Sequence, residues 1–546
     1  MSRKSKRQRR SPPLGAELQT GELGAIAERA MTGAISAEEY AKLKALIDTF
    51  DLLKAELLAK QTSVDRLRAM LFGAATEKTS AVLGEESAQD APEDDKAETR
   101  SERKGHGRNG AAAYTGARKV RVPHPSLHSG DSCPCCSKGR IYPVTEPAKL
   151  VRVTAVAPLQ ATVYECDRLR CGLCGEMYTA AAPEGVGQEK YDASATGMVA
   201  MIKYGAGMPF NRVERLQEGM GIPLPAATQW DLVKNAAETL SPVHRELVRQ
   251  AAQGTVLHND DTTMTILKLT PQQRASALGK DAKQSRTGVF TSGIVSIGEG
   301  REIALFFTGA RHAGENLAEV LKRRAAELPV PIQMCDGLSR NVPSEFETLL
   351  GKCMVHARRN YVEVEASFPE EVRFVLLTLR EVYKTDARAR KEGLTPEERL
   401  QLHKDESGPR MKTLATWMED QFKQRKVEPN STLGDAIQYM TDHWEGLTLF
   451  LRAAGAPLDN NVCERVLKKA ILHRKNALFY RTLNGAHVGD LFMSLIHTAE
   501  LARINVFDYL TTMLRHPEKI STHPEQWMPW NYRATLTRLS GADPPA

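Results

Sequence analysis

The chain has 546 residues, 41% hydrophobic and 26% charged, with a net charge of +7. That length allows several domains and a large core, and the composition is that of a soluble globular protein rather than a disordered or fibrous one. No apolar run is long enough for a transmembrane helix or the core of a signal peptide, so no membrane partner is expected and the protein should stay where it is made, in the cytoplasm.

Six of the first ten residues, Arg3, Lys4, Lys6, Arg7, Arg9 and Arg10, are basic, and residues 1–37 read as a disordered arm and short helix. The arm suits phosphate contact or a solvated tail equally. Residues 38–80 carry a heptad through Leu43, Leu46, Phe50, Leu53, Leu57, Val64, Leu67 and Leu71, broken by Lys60. It fits a coiled coil that joins copies into a homo-oligomer, or an amphipathic helix folded on its own protein. Residues 81–118 are polar and charged, as in a flexible linker.

Of nine cysteines, four form two C-x-x-C pairs, Cys133 with Cys136 and Cys171 with Cys174, within residues 119–185. This spacing supplies four thiolates for a structural, tetrahedral Zn²⁺ in a zinc ribbon, with strand-like runs over Leu150–Val156 and Ala161–Leu169 between the pairs. In residues 186–252, helices over Asn211–Glu218 and from Ala226, parted by Gly219–Gly221, resemble a helix-turn-helix.

Residues 253–515 begin with three strand patterns, Thr255–Leu267, Thr287–Ile297 and Glu302–Thr308, the last two joined by a Gly298-Glu299-Gly300-Arg301 turn. A helix from about Gly314 to Ala326, a fourth strand ending at Asp336 and a short fifth strand at Lys352–Val355 follow. An antiparallel meander extended by a parallel strand is the order of a ribonuclease-H-like core, so the expected class is α+β multidomain. A charged helical insertion over about 365–445 separates these strands from a helix that carries Glu464. Residues 516–546, with Pro524, Pro529, Pro544 and Pro545, are expected to pack poorly.

Such a core needs acids on its first strand, at the end of its fourth and on a late helix, where Asp260, Asp336 and Glu464 stand. Three carboxylates can hold two Mg²⁺ (or Mn²⁺) ions for phosphodiester chemistry. Asp261 competes with Asp260, because adjacent strand residues face opposite sides. Asn461-x-x-Glu464 also matches a capping box, in which Glu464 would merely satisfy backbone N–H groups. His356, Arg358 and Arg359, and Arg474, Lys475 and Asn476 beyond Glu464, are candidate phosphate contacts or solvated helix faces.

FGAATEKTS, CPCC with CGLCG, NDDT, QMCDG, CMVHARRNY, LTPEERL and above all LDNNVCER followed by HRKNALF resemble the insertion-sequence-66 family of bacterial transposases, over about Leu43 to Leu514. The resemblance implies an Asp-Asp-Glu transposase that cuts double-stranded DNA at element ends and joins the 3′ ends to a target, using Mg²⁺. It also implies small accessory transposition proteins as partners and a place at the nucleoid when DNA is bound. The family's Asp-Glu-Thr motif falls on Asp260, Asp261 and Thr262, which favours Asp260 and makes Asp261 a departure; Leu338 replaces the Tyr that usually follows Asp-Gly. A nuclease without strand transfer, or a transposase-derived DNA-binding protein without catalysis, are the alternatives.

Overall fold

The computed structural model describes residues 126–132, 134–136, 138–140, 142, 157–170, 177–181, 183–187, 189–278 and 288–540, with Ser36 and Thr79. The basic arm, the heptad helix, the linker, the run Leu150–Val156 and Cys133, Cys171 and Cys174 lie outside the described residues. The chain divides into two compact units, Met1–Ala88 with Leu350–Asp459, and Gln89–Leu349 with Asn460–Ala546.

The second unit is built on a mixed sheet. Strands β1 (Arg168–Arg170) and β2 (Met177–Thr179) form a separate antiparallel hairpin, whereas Ala161–Asp167 pairs with no described strand. Helices α1 (Ala193–Ala200), α2 (Phe210–Glu218) and α3 (Ala226–Ala251) follow. The two helices expected around the glycine turn are present. Gln229 fixes that turn by donating to the carbonyls of Leu224 and Phe210. One face of α3, through Val233, Leu240, Val243 and Leu247, is fully buried.

Strands β3 (Val256–Thr263), β4 (Phe290–Gly298) and β5 (Arg301–Gly309) are the predicted meander. β3 and β4 pair antiparallel from Val256 with Ile297 to Thr263 with Phe290, and β4 meets β5 in a two-residue turn at Glu299 and Gly300, both at positive φ. That turn conformation matches the twist of the strands it joins. Helix α4 (Ala313–Leu321) then leads to β6 (Ile332–Cys335), which lies parallel to β3 with His258 opposite Met334. The strands of this unit lie in the order β5-β4-β3-β6, and a short strand, β7 (Leu349–Lys352), follows in the chain. The fifth strand therefore ends where Lys352–Val355 was expected to carry it on. From Met354 the buried positions Met354, Ala357, Arg358 and Tyr361 recur at helical spacing, and a helix spans Met354–Val362.

Helices α5 (Asn461–Ala477) and α6 (Leu483–Leu501) close the unit, α5 against β3 and β4 and α6 against β5. The open edge of β5 is capped by α6 side chains four residues apart. The amides of Ala304, Phe306 and Thr308 donate to Thr498 Oγ1 (3.1 Å), Ser494 Oγ (3.0 Å) and Asp490 Oδ2 (2.7 Å). Alternate strand residues and every fourth helical residue thus meet along one line. Helix α7 (Val506–Leu514) and the segment after it return to the same core. The end of the chain is not loose up to residue 540: Trp527, Met528 and Tyr532 are fully buried, and Tyr509 donates to the Trp527 carbonyl. Aromatic burial there outweighs the prolines on which the expectation rested.

The first unit, where the insertion was expected, is helical over Pro369–Glu392, Pro396–Leu402, Gly408–Lys423 and Thr432–Asp442, with Leu376, Leu414 and Ile437 buried. Gly393 at φ 68° ends the first of these helices, and Thr395 and Glu398 cap the second reciprocally. Burial works against the charge of Asp386, but bonds from His403 and Arg399 hold its carboxyl at about 2.

Asp490 is fully enclosed, and burial pushes its carboxyl up to about 7 although the Thr308 bonds pull the other way. An acid raised on folding binds its proton more tightly in the folded state, so its contribution to stability falls as pH rises from about 4 through about 7. Melts of the wild type and Asp490→Asn compared across that range should show the variant gaining relative stability with rising pH; a constant difference would place the titration elsewhere.

Candidate active site

Asp260 lies on β3 two residues past His258, and Asp336 two residues past Met334 on the parallel neighbour. The register therefore delivers both carboxylates to the same end of the β3–β6 pair. The amide of Asn341, on a short 3₁₀ turn after β6, joins them: its Nδ2 donates to Asp336 Oδ1 at 2.7 Å and more weakly to Asp260 Oδ1 at 3.4 Å. Burial first, then the negative charges of Asp336, Asp261 and Glu464, push the Asp260 carboxyl up to about 7 against the pull of the Asp261 N–H. Asp260 thus feels both of the other expected carboxylates.

Glu464 is brought in by the way α5 lies on the sheet. Gly293, opposite Asp260 on β4, has no side chain, and a Cβ there would stand 3.0 Å from Leu467 Cγ and 3.6 Å from Cys463 Sγ. The Cys463 thiol donates to the Gly293 carbonyl at 3.4 Å. The bare strand lets the helix approach this closely, and the next residue after Cys463 is Glu464. Burial and the charges of Asp260 and Glu464 push the Cys463 thiol well above its usual range, so it stays a neutral packing group.

The capping-box alternative for Glu464 does not form. Asn460, not Asn461, is the N-cap, so the third helical position is Cys463 and Glu464 falls one residue too late. Asn460 instead donates to the Asn259 carbonyl (3.1 Å) and shares a hydrogen bond with His258 Nδ1 (3.0 Å). Glu464 Oε1 is buried with no hydrogen-bond partner.

Asp261 faces away, as strand alternation requires. Its side chain is 1% exposed, and its oxygens are held by His312 Nδ1 at 2.7 Å and Arg340 Nη2 at 3.2 Å. It is a neutralised structural acid, which leaves Asp260 as the residue directed to the other two.

The basic candidates divide between the units. In the first, Arg358 is buried and donates to Thr79, and His356 Nδ1 is buried without a hydrogen bond. In the second, Arg474 reaches back to Thr262 Oγ1 (3.0 Å) and to the carbonyl and hydroxyl of Thr263, pinning α5 to the end of β3. Asn476 is half-buried and Lys475 is exposed.

The polar floor below the carboxylates was missed by reasoning from sequence. Gln333 Nε2 donates to Asn259 Oδ1 and to the Asn341 carbonyl (both 2.8 Å), Asn259 Nδ2 donates to that same carbonyl (2.7 Å), and Thr348 donates to Gln333 Oε1 (2.9 Å). Asn460 stands beside Asn461 in the Asp-Asn-Asn run and was within reach of the motif. Asn341, five residues past Asp336 in a turn, has no signal of its own.

Compared with known proteins, residues 189–488 match the transposase IS66 family. The chain belongs to that family. The IS66-family chain is also similar to the uncharacterized protein y4jD of Sinorhizobium fredii, 24% identical over 510 residues that cover 88% of this chain and 96% of that protein. The uncharacterized protein y4hP of the same organism is 24% identical over 533 residues, covering 87% of this chain and 89% of that one. The matched region contains Asp260, Asp336, Asn341 and Glu464, and no helix among the described residues of this IS66-family chain is long and apolar enough to cross a membrane.

A side chain at position 293 should part α5 from β4. Gly293→Val is expected to destabilise the chain by about 1–3 kcal/mol in urea unfolding, and an unchanged midpoint would show that Leu467 swings clear.

Proposed function

We propose that this chain is an Asp-Asp-Glu transposase with a ribonuclease-H-like core, which cuts double-stranded DNA at the ends of its element and joins the 3′ ends to a target. One observation carries the reading: carboxylates from two parallel strands and a late helix converge on Asp260, which is raised by burial and then by the other acids, while Glu464 has an orphan oxygen. A largely buried carboxyl raised beside two further acids fits a cation that prefers oxygen donors.

Asp260, Asp336 and Glu464 would hold Mg²⁺ or Mn²⁺, which supplies Lewis-acid charge at a phosphodiester. The chain's own contribution is orientation. Asn341 holds the Asp260 and Asp336 oxygens together, and the His312 and Arg340 pairing keeps Asp261 from competing. Lys475 stands on the surface of the helix that carries Glu464 and is the basic candidate best placed for a phosphate.

With labelled duplex ends of the element and Mg²⁺, the wild type should cut and join, while Asp260→Asn, Asp336→Asn and Glu464→Gln bind but fall to background. Cutting that survives in any of them removes that residue from the site; cutting without joining favours a nuclease.

A structural zinc ribbon is proposed on the same footing. The Ser132–Arg140 bridge brackets Cys133 and Cys136, and the β1–β2 pairing of Arg170 with Met177 brackets Cys171 and Cys174. Elemental analysis should find about one zinc per chain, lost in Cys136→Ser and Cys171→Ser; zinc retained in both would refute the four-thiolate site.

A further inference from the structure

Helix α5 does not end in an ordinary cap. Leu478 stands at φ 67°, ψ −41°, and the Phe479 N–H donates to the Ala477 carbonyl at 2.8 Å. This is a three-residue γ-turn of the positive-φ kind, rare and strained for a side chain branched like leucine. The surroundings enforce it. Leu478 N–H still bonds the Arg474 carbonyl, and Tyr480 bridges to the segment after β3, with Tyr480 N donating to Thr265 O (2.9 Å) and Leu267 N to Tyr480 O (3.0 Å). The Tyr480 ring is buried, stacked on His473 at 5.0 Å, and its hydroxyl sits where a Cβ at Gly489 would stand 2.4 Å away.

What this device displays is apolar. Leu478 is 66% exposed and Phe479 41%, and Leu267, across the bridge, is 57% exposed. The chain segments that carry them are basic. No acidic residue occurs from Arg465 to Gly489 or from Thr262 to Leu278, whereas Arg465, Lys468, Lys469, Arg474, Lys475, Arg481, Lys268 and Arg274 do. A second copy of the same patch would be repelled, and a polyanion attracted.

We propose that Leu478, Phe479 and Leu267 form an apolar wedge that enters the base stack of duplex DNA. Exposed leucine and phenylalanine side chains on a rigid, basic support are the chemistry by which proteins unstack a base step. The proposal rests on the transposase reading above. Fourteen residues separate Glu464 from Leu478 along one helix, so the helical rise puts the wedge about 20 Å from the carboxylates. A duplex lying along α5 would, at about 3.4 Å per step, meet the wedge roughly six base pairs from the scissile phosphate. Cutting and wedging are thereby set at a fixed spacing by the length of α5.

The test uses the full chain and duplexes of the element's ends with 2-aminopurine at successive positions, bound in Ca²⁺ and separately cut in Mg²⁺. The wild type should give a fluorescence rise confined to one or two adjacent positions about six pairs from the cut. Leu478→Ser and the Leu478→Ser, Phe479→Ser pair should lose that rise at saturating protein and bind roughly tenfold more weakly. Binding and cutting by the wild type with no rise at any position overturns the wedge and leaves the transposase reading standing. A rise that persists in the double variant overturns it as well, as does a double variant altered in mass by light scattering but not in fluorescence, which makes the patch a contact between copies. A wild type that neither binds nor cuts the ends overturns both readings.

Discussion

Negative charges gathered out of water repel one another, and the second unit is arranged around that repulsion. Asp260 feels burial together with Asp336, Asp261 and Glu464, and its carboxyl is driven up to about 7. A fold left to minimise its own energy would scatter these acids or pair each with a base. Asp261, by contrast, is paired with His312 and Arg340. Asp260 accepts instead from the Asn341 amide and the Asp261 N–H, neutral donors that position the carboxyl without cancelling its charge.

Holding such a cluster in place demands rigidity beneath it, which buried amides supply. Asn259, Gln333, Asn341 and Asn460 bind one another's side chains and main-chain carbonyls across β3, β6 and the start of α5. In a desolvated setting each bond is strong and each broken one expensive, so the floor resists distortion in every direction at once. Above it, Gly293 lets a helix lie almost on a strand, and Arg474 ties the far end of that helix back to Thr262 and Thr263. One helix is thus fixed at both ends against the strand that carries Asp260.

Much of this could be read from the chain alone, because the signals are local. Apolar runs with a Gly-Glu-Gly-type turn located the meander, and acids at strand ends are visible as interruptions of those runs. The misplacements have physical causes. Lys352–Val355 reads as a strand because Val355 and Cys353 are apolar, yet helical spacing from Met354 wins once a partner covers that face. Asn461 resembles a cap because its neighbour Asn460 is chemically identical, and tertiary bonds decide between them. The aromatic residues after His516 look stranded among prolines, but the core into which Trp527 fits is assembled from distant helices. Asn341 acts through bonds that exist only after folding, and no pattern announces them.

The ladder from α6 to β5 sets a limit on the sheet. Four residues of helix advance about 6.0 Å, and two residues of antiparallel strand about 6.8 Å. The two rulers drift apart by just under 1 Å per rung, so a straight helix can stay in step with an edge for about three rungs before a hydrogen bond breaks. Asp490, Ser494 and Thr498 use that span in full. The amides of Ala304, Phe306 and Thr308 are spent on this vernier, so along that stretch β5 has none left to recruit a further strand.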